Sequence, residues 1–223
     1  MREQQKLLNI YKKLYAHFGP QDWWPADTPF EVIIGAILTQ NTNWKNVEKA
    51  ISNLKSAGVL NPRAIFENRQ SRIENMIRPT GYFRQKTKKL KAFVKYFLKT
   101  YNGKLKRMFA KPIVELRAEL LSLHGIGPET ADSIILYAAE KPTFVVDAYT
   151  RRIGNRVGLY QTDDYHEIKA YFEEKLPANL EMLKEYHALL VELAKNYCRT
   201  NPLCAKCPIR LNCRYYLSQR GVS

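Results

Sequence analysis

Apolar residues recur with a helical period along most of this chain. Leu7, Tyr11, Leu14 and Phe18 share one face of a first predicted helix, and Val47, Ile51 and Leu54 share the face of another. Leu90, Phe93, Val94 and Phe97 form a third face, with Lys88, Lys89, Lys91 and Lys95 around it. Ile113, Leu116, Leu120 and Leu123 then mark one amphipathic helix, and Ala131, Ile134, Ile135 and Ala138 mark the next. The stretch FEVIIGAILTQ is apolar on every side, which suits either a buried helix or a buried strand. Nothing near it alternates with period two to supply a partner strand, so a helix is expected. YHALLVELAKNYC predicts a helix that delivers Cys198. Breaks fall at FGPQDWWPADTP, GVLNPR, RPTGYF, AKP and EKP. There is no internal repeat and no low-complexity segment, and the pattern predicts an all-α protein.

Composition narrows the partners. The chain has 223 residues, 45% of them hydrophobic and 26% charged, the profile of an ordinary globular protein. No apolar run approaches the roughly 18–20 residues of a membrane span. The stretch MREQQKLLNIYKKLYAHF has mixed charge and lacks a signal peptide's apolar block, so the expected location is the cytoplasm and nucleoid. Thirty-six Lys and Arg against 21 Asp and Glu leave a formal charge of +15, which nominates a polyanion such as nucleic acid without identifying it.

Three local patterns carry chemistry. The first is LHGIGPET, residues 123–130, between the two hairpin helices. Gly125 and Gly127 allow a tight turn and a close approach, and Pro128 suits a first helical position. The amides at the second helix's N-terminus would face outward and make an anion site, with a DNA phosphate the natural occupant of a basic protein. A plain connection between helices is the alternative. The second is FVVDAYTRR, where Asp147 closes an apolar run and opens a helix, a place that by itself suits an N-cap. The third is CRTNPLCAKCPIRLNC, which holds all four cysteines, Cys198, Cys204, Cys207 and Cys213. Such density in an intracellular chain reads as a metal site, either a [4Fe–4S] cluster or zinc, and spacing alone does not decide between them.

Taken together, L-x-G-I-G-x-x-T-A, V-V-D-x-Y and the cysteine cluster resemble the helix-hairpin-helix DNA glycosylases of the endonuclease III superfamily. The resemblance runs from WWPADTPFEVIIGAILTQNT to Cys213. It implies two all-α lobes with the active site in the cleft between them. One is a helical barrel, residues 21–134, ending in the hairpin; the other combines residues 1–20 with 135–223. It also implies a monomer that acts on double-stranded DNA containing a damaged base, with no membrane partner. Asp147 would be the catalytic carboxylate, stabilising positive charge at the sugar and orienting or activating a water. Its place at a helix N-terminus favours the anion. Gly125, Ile126 and Gly127 would bind phosphate through their backbone, Gln40 would fill the gap left by the flipped nucleotide, and Tyr82 in GYFRQK would wedge into the duplex.

Bifunctional members carry a lysine where this chain has Glu129, and a carboxylate cannot form a Schiff base. Glu129 therefore argues for a monofunctional enzyme that uses water. Trp23, Trp24, Pro25 and Trp44 match the branch that excises alkylated purines, above all 3-methyladenine, whose cationic base suits aromatic faces. A glycosylase for mismatched thymine or uracil, or for oxidised pyrimidines, is the nearest rival; a non-catalytic damage-binding protein is the rival of another class. The resemblance favours [4Fe–4S] over zinc. The spacing C-x5-C-x2-C-x5-C has one residue fewer than usual in the first gap, which shortens RTNPL and puts a phosphate contact by Arg199 in doubt. The cluster would pin a basic loop of Arg199, Lys206 and Arg210. His124, His166 and His187 receive no role.

Overall fold

The computed structural model describes residues 2–219. Thirteen α-helices follow one another among them, with no strand. They are α1 (Arg2–Phe18), α2 (Pro29–Leu38), α3 (Trp44–Ser56), α4 (Pro62–Glu67), α5 (Gln70–Ile77), α6 (Phe83–Tyr101) and α7 (Leu105–Phe109). Then come α8 (Ile113–Leu121), α9 (Pro128–Ser133), α10 (Ala148–Val157), α11 (Tyr165–Lys175), α12 (Leu180–Asn196) and α13 (Arg214–Ser218). The all-α expectation holds, and FEVIIGAILTQ is a helix. No helix among the described residues is long and apolar enough to cross a membrane. The chain divides into two compact units, one of Trp24–Lys141 and one that joins the residues up to Trp23 with those from Pro142 onward.

In the discontinuous unit α12 packs on α1 and α10, α11 on α1, and α13 on α10. The buried face of α1 is Leu7, Ile10 and Leu14. Tyr11 and Phe18, expected on that face, lie at its half-buried edge, and Tyr11 sets its ring against Tyr186 at 5.4 Å. Residues Thr143, Phe144, Val145 and Val146 lie outside any helix and are all buried. Phe144 stacks on Phe172 at 4.0 Å between ring centroids. Glu173 Oε1 accepts from Thr143 Oγ1 and from the Phe144 amide, both at 2.8 Å. This short run is thereby fixed at both its backbone and its rings, and it ends on Asp147.

In the continuous unit α2 is buried from Phe30 to Leu38, and α3, α6, α9 and the π-helical turn Ile134–Ala138 surround it. Thr28 caps α2 by accepting from the Glu31 amide at 3.2 Å, and Pro29 takes the first helical position. Glu31 itself is buried but paired with Lys55 at 2.7 Å. The helix after the hairpin departs from its amphipathic expectation: all eight residues from Ala131 to Ala138 are buried, Asp132 and Ser133 included. The polar pair survives there because Arg117 on α8 reaches Asp132 with two hydrogen bonds, 2.9 Å from Nε and 3.1 Å from Nη2.

Candidate functional site

The hairpin is α8, a six-residue turn and α9. Gly125 sits at φ +81°, a conformation that suits glycine, and the Lys89 methylenes occupy the place where a Cβ would stand. The Ile126 amide donates to Leu123 O at 3.1 Å, so that amide is spent inside the turn. Gly127 is the extended N-cap of α9, with open space where a Cβ would point, and Pro128 follows it. The amides of the first helical turn have no acceptor within their own helix. Glu129 is exposed in that turn.

Gln40 is tied to the hairpin. Its Nε2 donates to Gly125 O at 3.1 Å and to Thr130 Oγ1 at 3.0 Å, while Lys89 Nζ donates to its Oε1. Asn41 next to it adopts a positive φ of 53°. Tyr82 is 70% exposed and also has a positive φ, 46°, after Gly81 at 66°. Lys86, buried on α6, donates from Nζ to Thr80 O at 2.7 Å and braces the turn before Tyr82. Burial lowers the Lys86 pKa to about 8, with the charge of Lys89 adding to the effect.

Trp24 and Trp44 meet edge to face, centroids 5.1 Å apart at 89°. Tyr137 from the π-helical turn joins Trp24 at 5.4 Å. A pocket beside them is lined by Trp24, Pro25 and Trp44 together with Glu31, Glu48 and Lys55, so aromatic rings and charged side chains of both signs border one space. Trp23 belongs to the other unit, where Lys195 Nζ lies 5.9 Å from its ring centroid.

Asp147 is the N-cap of α10, and its Oδ1 accepts from the Thr150 amide at 2.6 Å. Its Oδ2 lies 3.8 Å from Nε2 of His187 on α12, a residue without an expected role. Burial lowers the His187 pKa, opposed by the charge of Asp147, and the net direction is down.

Cys198, Cys204, Cys207 and Cys213 are free thiols that line one pocket with apolar neighbours such as Ile153, Val157, Leu193 and Ile209. Arg156 reaches Cys198 Sγ at 3.4 Å and the carbonyls of Arg199 and Thr200 at 2.6 and 3.0 Å. Burial raises the thiols of Cys204, Cys207 and Cys213, that of Cys207 to about 11. Among the described residues no three His, Cys, Asp or Glu side chains stand close enough to hold one metal ion. Four thiols bordering one pocket match the donor type of an all-cysteine iron–sulfur site.

A model of the HhH-GPD superfamily of base excision DNA repair proteins matches residues 34–178. The chain belongs to that superfamily. It is 48% identical over 212 residues to the "Putative DNA repair glycosylase" of Methanocaldococcus jannaschii, covering 94% of this chain and 96% of that protein. It is 28% identical over 189 residues to endonuclease III of Thermotoga maritima, covering 84% of each. Among solved structures, H. pylori 3-methyladenine DNA glycosylase bound to 1,N6-ethenoadenine matches with a TM-score of 0.76 and 28% identity, covering 85% of this chain and 97% of that one. A non-covalent endonuclease III–DNA complex matches with a TM-score of 0.84 at 22% identity, over 98% of both chains, and shows the shared fold. The protein is thus a DNA glycosylase of base excision repair.

Several residues of these sites escape the sequence pattern. Tyr137 lies off the helical face read from Ala131, Ile134, Ile135 and Ala138, and Lys89 reads only as one of many lysines around α6. Asp132 sits beside Ser133 in the same helix, and nothing in the spacing marks its partner.

Proposed function

We propose that the chain is a monofunctional glycosylase that hydrolyses the N-glycosidic bond of alkylated purines in duplex DNA. The pairing of Trp24 and Trp44 beside Glu31 and Glu48 carries the substrate reading. Aromatic faces suit a base that is itself cationic, and Glu48 adds negative charge to the same pocket, while Glu31 is paired with Lys55. Likeness to the H. pylori 3-methyladenine enzyme supports it. An alkylated purine leaves as a neutral base, so no acid has to protonate it. What remains is to stabilise the positive charge growing on the sugar and to bring in water. Asp147 does both: its Oδ1 is held by the helix amide, and its Oδ2 faces the charge and takes the water's proton as oxygen bonds to C1′. Glu129 in place of an amine leaves no nucleophile for a Schiff base there.

Gly127 and the first turn of α9 grip a phosphate; Ile126, its amide already engaged, contributes shape. Gln40 enters the gap only by exchanging its bonds to Gly125 and Thr130 for the DNA, and Tyr82 supplies the wedge. Cys198, Cys204, Cys207 and Cys213 hold a [4Fe–4S] cluster, which when bound cross-links the loop after α12 and takes no step in hydrolysis.

The test is to incubate methylated duplex DNA with the wild type and with Asp147→Asn and to quantify released bases by chromatography. Release of 3-methyladenine that depends on Asp147, with abasic sites left uncut, is expected. Absence of any methylpurine overturns the substrate. Strand cleavage with borohydride trapping overturns the monofunctional mechanism.

A further inference from the structure

We propose that His187 is a positioning residue for Asp147, holding the carboxylate in its working orientation without touching DNA. This rests on the reading of Asp147 as the catalytic carboxylate. Asp147 is held from one side by the backbone: the Thr150 amide takes Oδ1 at 2.6 Å and fixes one end of the group. The remaining freedom is rotation that swings Oδ2, and the group facing Oδ2 is the His187 imidazole, Nε2 at 3.8 Å. That distance is longer than a hydrogen bond, and catalytic contacts of this kind tighten when substrate arrives.

The imidazole is well placed to act as a fixed reference. His187 is buried on α12, between the buried residues Tyr186 and Ala188, and α12 packs against both α1 and α10. Asp147 opens α10, so the ring and the carboxylate belong to two helices packed on each other. Burial disfavours the charged ring more than Asp147 favours it. A neutral ring orients the carboxylate without neutralising it, so the negative charge stays available to the sugar. A hydrocarbon at this position would remove the imidazole that Oδ2 faces, and the carboxylate would sample unproductive rotamers. Orientation errors of that size are costly in rate because the charge must stand where the cation develops.

The experiment is a double-mutant cycle in single-turnover excision from methylated duplex, with G·T-mismatched duplex substituted if methylated DNA is not excised. His187→Leu, His187→Gln, Asp147→Asn and both doubles are compared. Affinity for duplex carrying an abasic-site analogue and the urea midpoint are measured for each. His187→Leu is expected to slow excision about ten- to a hundredfold, the range of coupling between contacting groups. In the Asp147→Asn background it is expected to cost nothing more, and His187→Gln, which keeps a polar group, recovers part of the rate. Affinity for the abasic analogue stays at the wild-type level. An equal loss in both backgrounds, or a loss that follows the urea midpoint, overturns the proposal in favour of a packing role. If Asp147→Asn is impaired while His187→Leu is at wild-type rate, the proposal fails and the reading of Asp147 stands. If Asp147→Asn excises like the wild type, both fail.

Discussion

In the Trp24–Lys141 unit, the groups proposed to meet DNA stand on or beside backbone that few residues tolerate. Tyr82 has a positive φ and is largely exposed, Gly125 with positive φ makes the turn that presents Gly127, and Asn41 with positive φ follows Gln40. In the other unit, the groups proposed for chemistry stand at the ends or on the inner faces of packed helices, as with Asp147 at the N-cap of α10 and His187 inside α12. Gripping a polyanion needs backbone amides and side chains that reach outward, which strained turns provide. Stabilising a cation at one atom needs a carboxylate that does not wander, which buried helix ends provide. The strained turns of the first kind are in turn braced from beneath by buried charges, Arg117–Asp132 under the hairpin and Lys86 under Tyr82.

The largest effect should come from breaking that bracing. Arg117→Met removes the guanidinium from an Asp132 carboxylate that is 0% exposed. Removing one partner of a buried ion pair costs about 3–5 kcal/mol. The urea midpoint is expected to fall accordingly, and Arg117→Met with Asp132→Leu is expected to recover much of the loss because no buried charge is left. A single variant as stable as the wild type would show that the hairpin does not depend on this brace.

How much of this was legible in the sequence follows from distance along the chain. The hairpin and Asp147 announce themselves locally: G-x-G-P forces a turn before a helix, and V-V-D ends an apolar run at a cap. Trp24 and Trp44 are linked only by resemblance, since nothing in their spacing says that their rings meet. Gln40 with Lys89, Arg117 with Asp132, and His187 with Asp147 are pairings between helix faces, and periodicity tells which face is buried but not what it faces. The buried run Ala131–Ala138 goes beyond the amphipathic expectation for a related reason. Helical spacing of Ala131, Ile134, Ile135 and Ala138 marks one buried face, and the burial of Asp132 depends on Arg117 from another helix. The cysteines are legible as a group, and their shared pocket is not.

A smaller effect separates strain from grip within the hairpin. Gly125→Ala places a Cβ at φ +81° and against the Lys89 methylenes, a strain on the order of 1–3 kcal/mol. It should lower both the urea midpoint and duplex affinity. Gly127 is extended and has open space at its Cβ position, so Gly127→Ala should leave stability unchanged. If a phosphate sits against the Gly127 backbone, the new methyl group weakens duplex binding alone, and titration by fluorescence anisotropy reads it. Unchanged binding would place the grip elsewhere.

The smallest effect concerns the brace under Tyr82 and is read as a function of pH. Lys86 has its pKa lowered to about 8 in the fold, against 10.5 for an ordinary lysine. Between these values the unfolded chain holds the Lys86 proton and the folded chain does not, so folding stability attributable to Lys86 rises with pH across that window. Below about 8 both states are protonated, and the cost of burying the ammonium is present in full, partly offset by its bond to Thr80 O. In Lys86→Met neither effect exists. The difference in urea midpoint between wild type and Lys86→Met should therefore move in favour of the wild type as pH is raised from 8 to 10.5. Groups remote from Lys86 contribute alike in both proteins and cancel in that difference, and pairing each variant with Lys89→Gln removes the charge of Lys89 from the comparison. A difference that stays flat across the window would mean that the Lys86 ammonium is not desolvated in the fold, and that the turn carrying Tyr82 is held by its backbone alone.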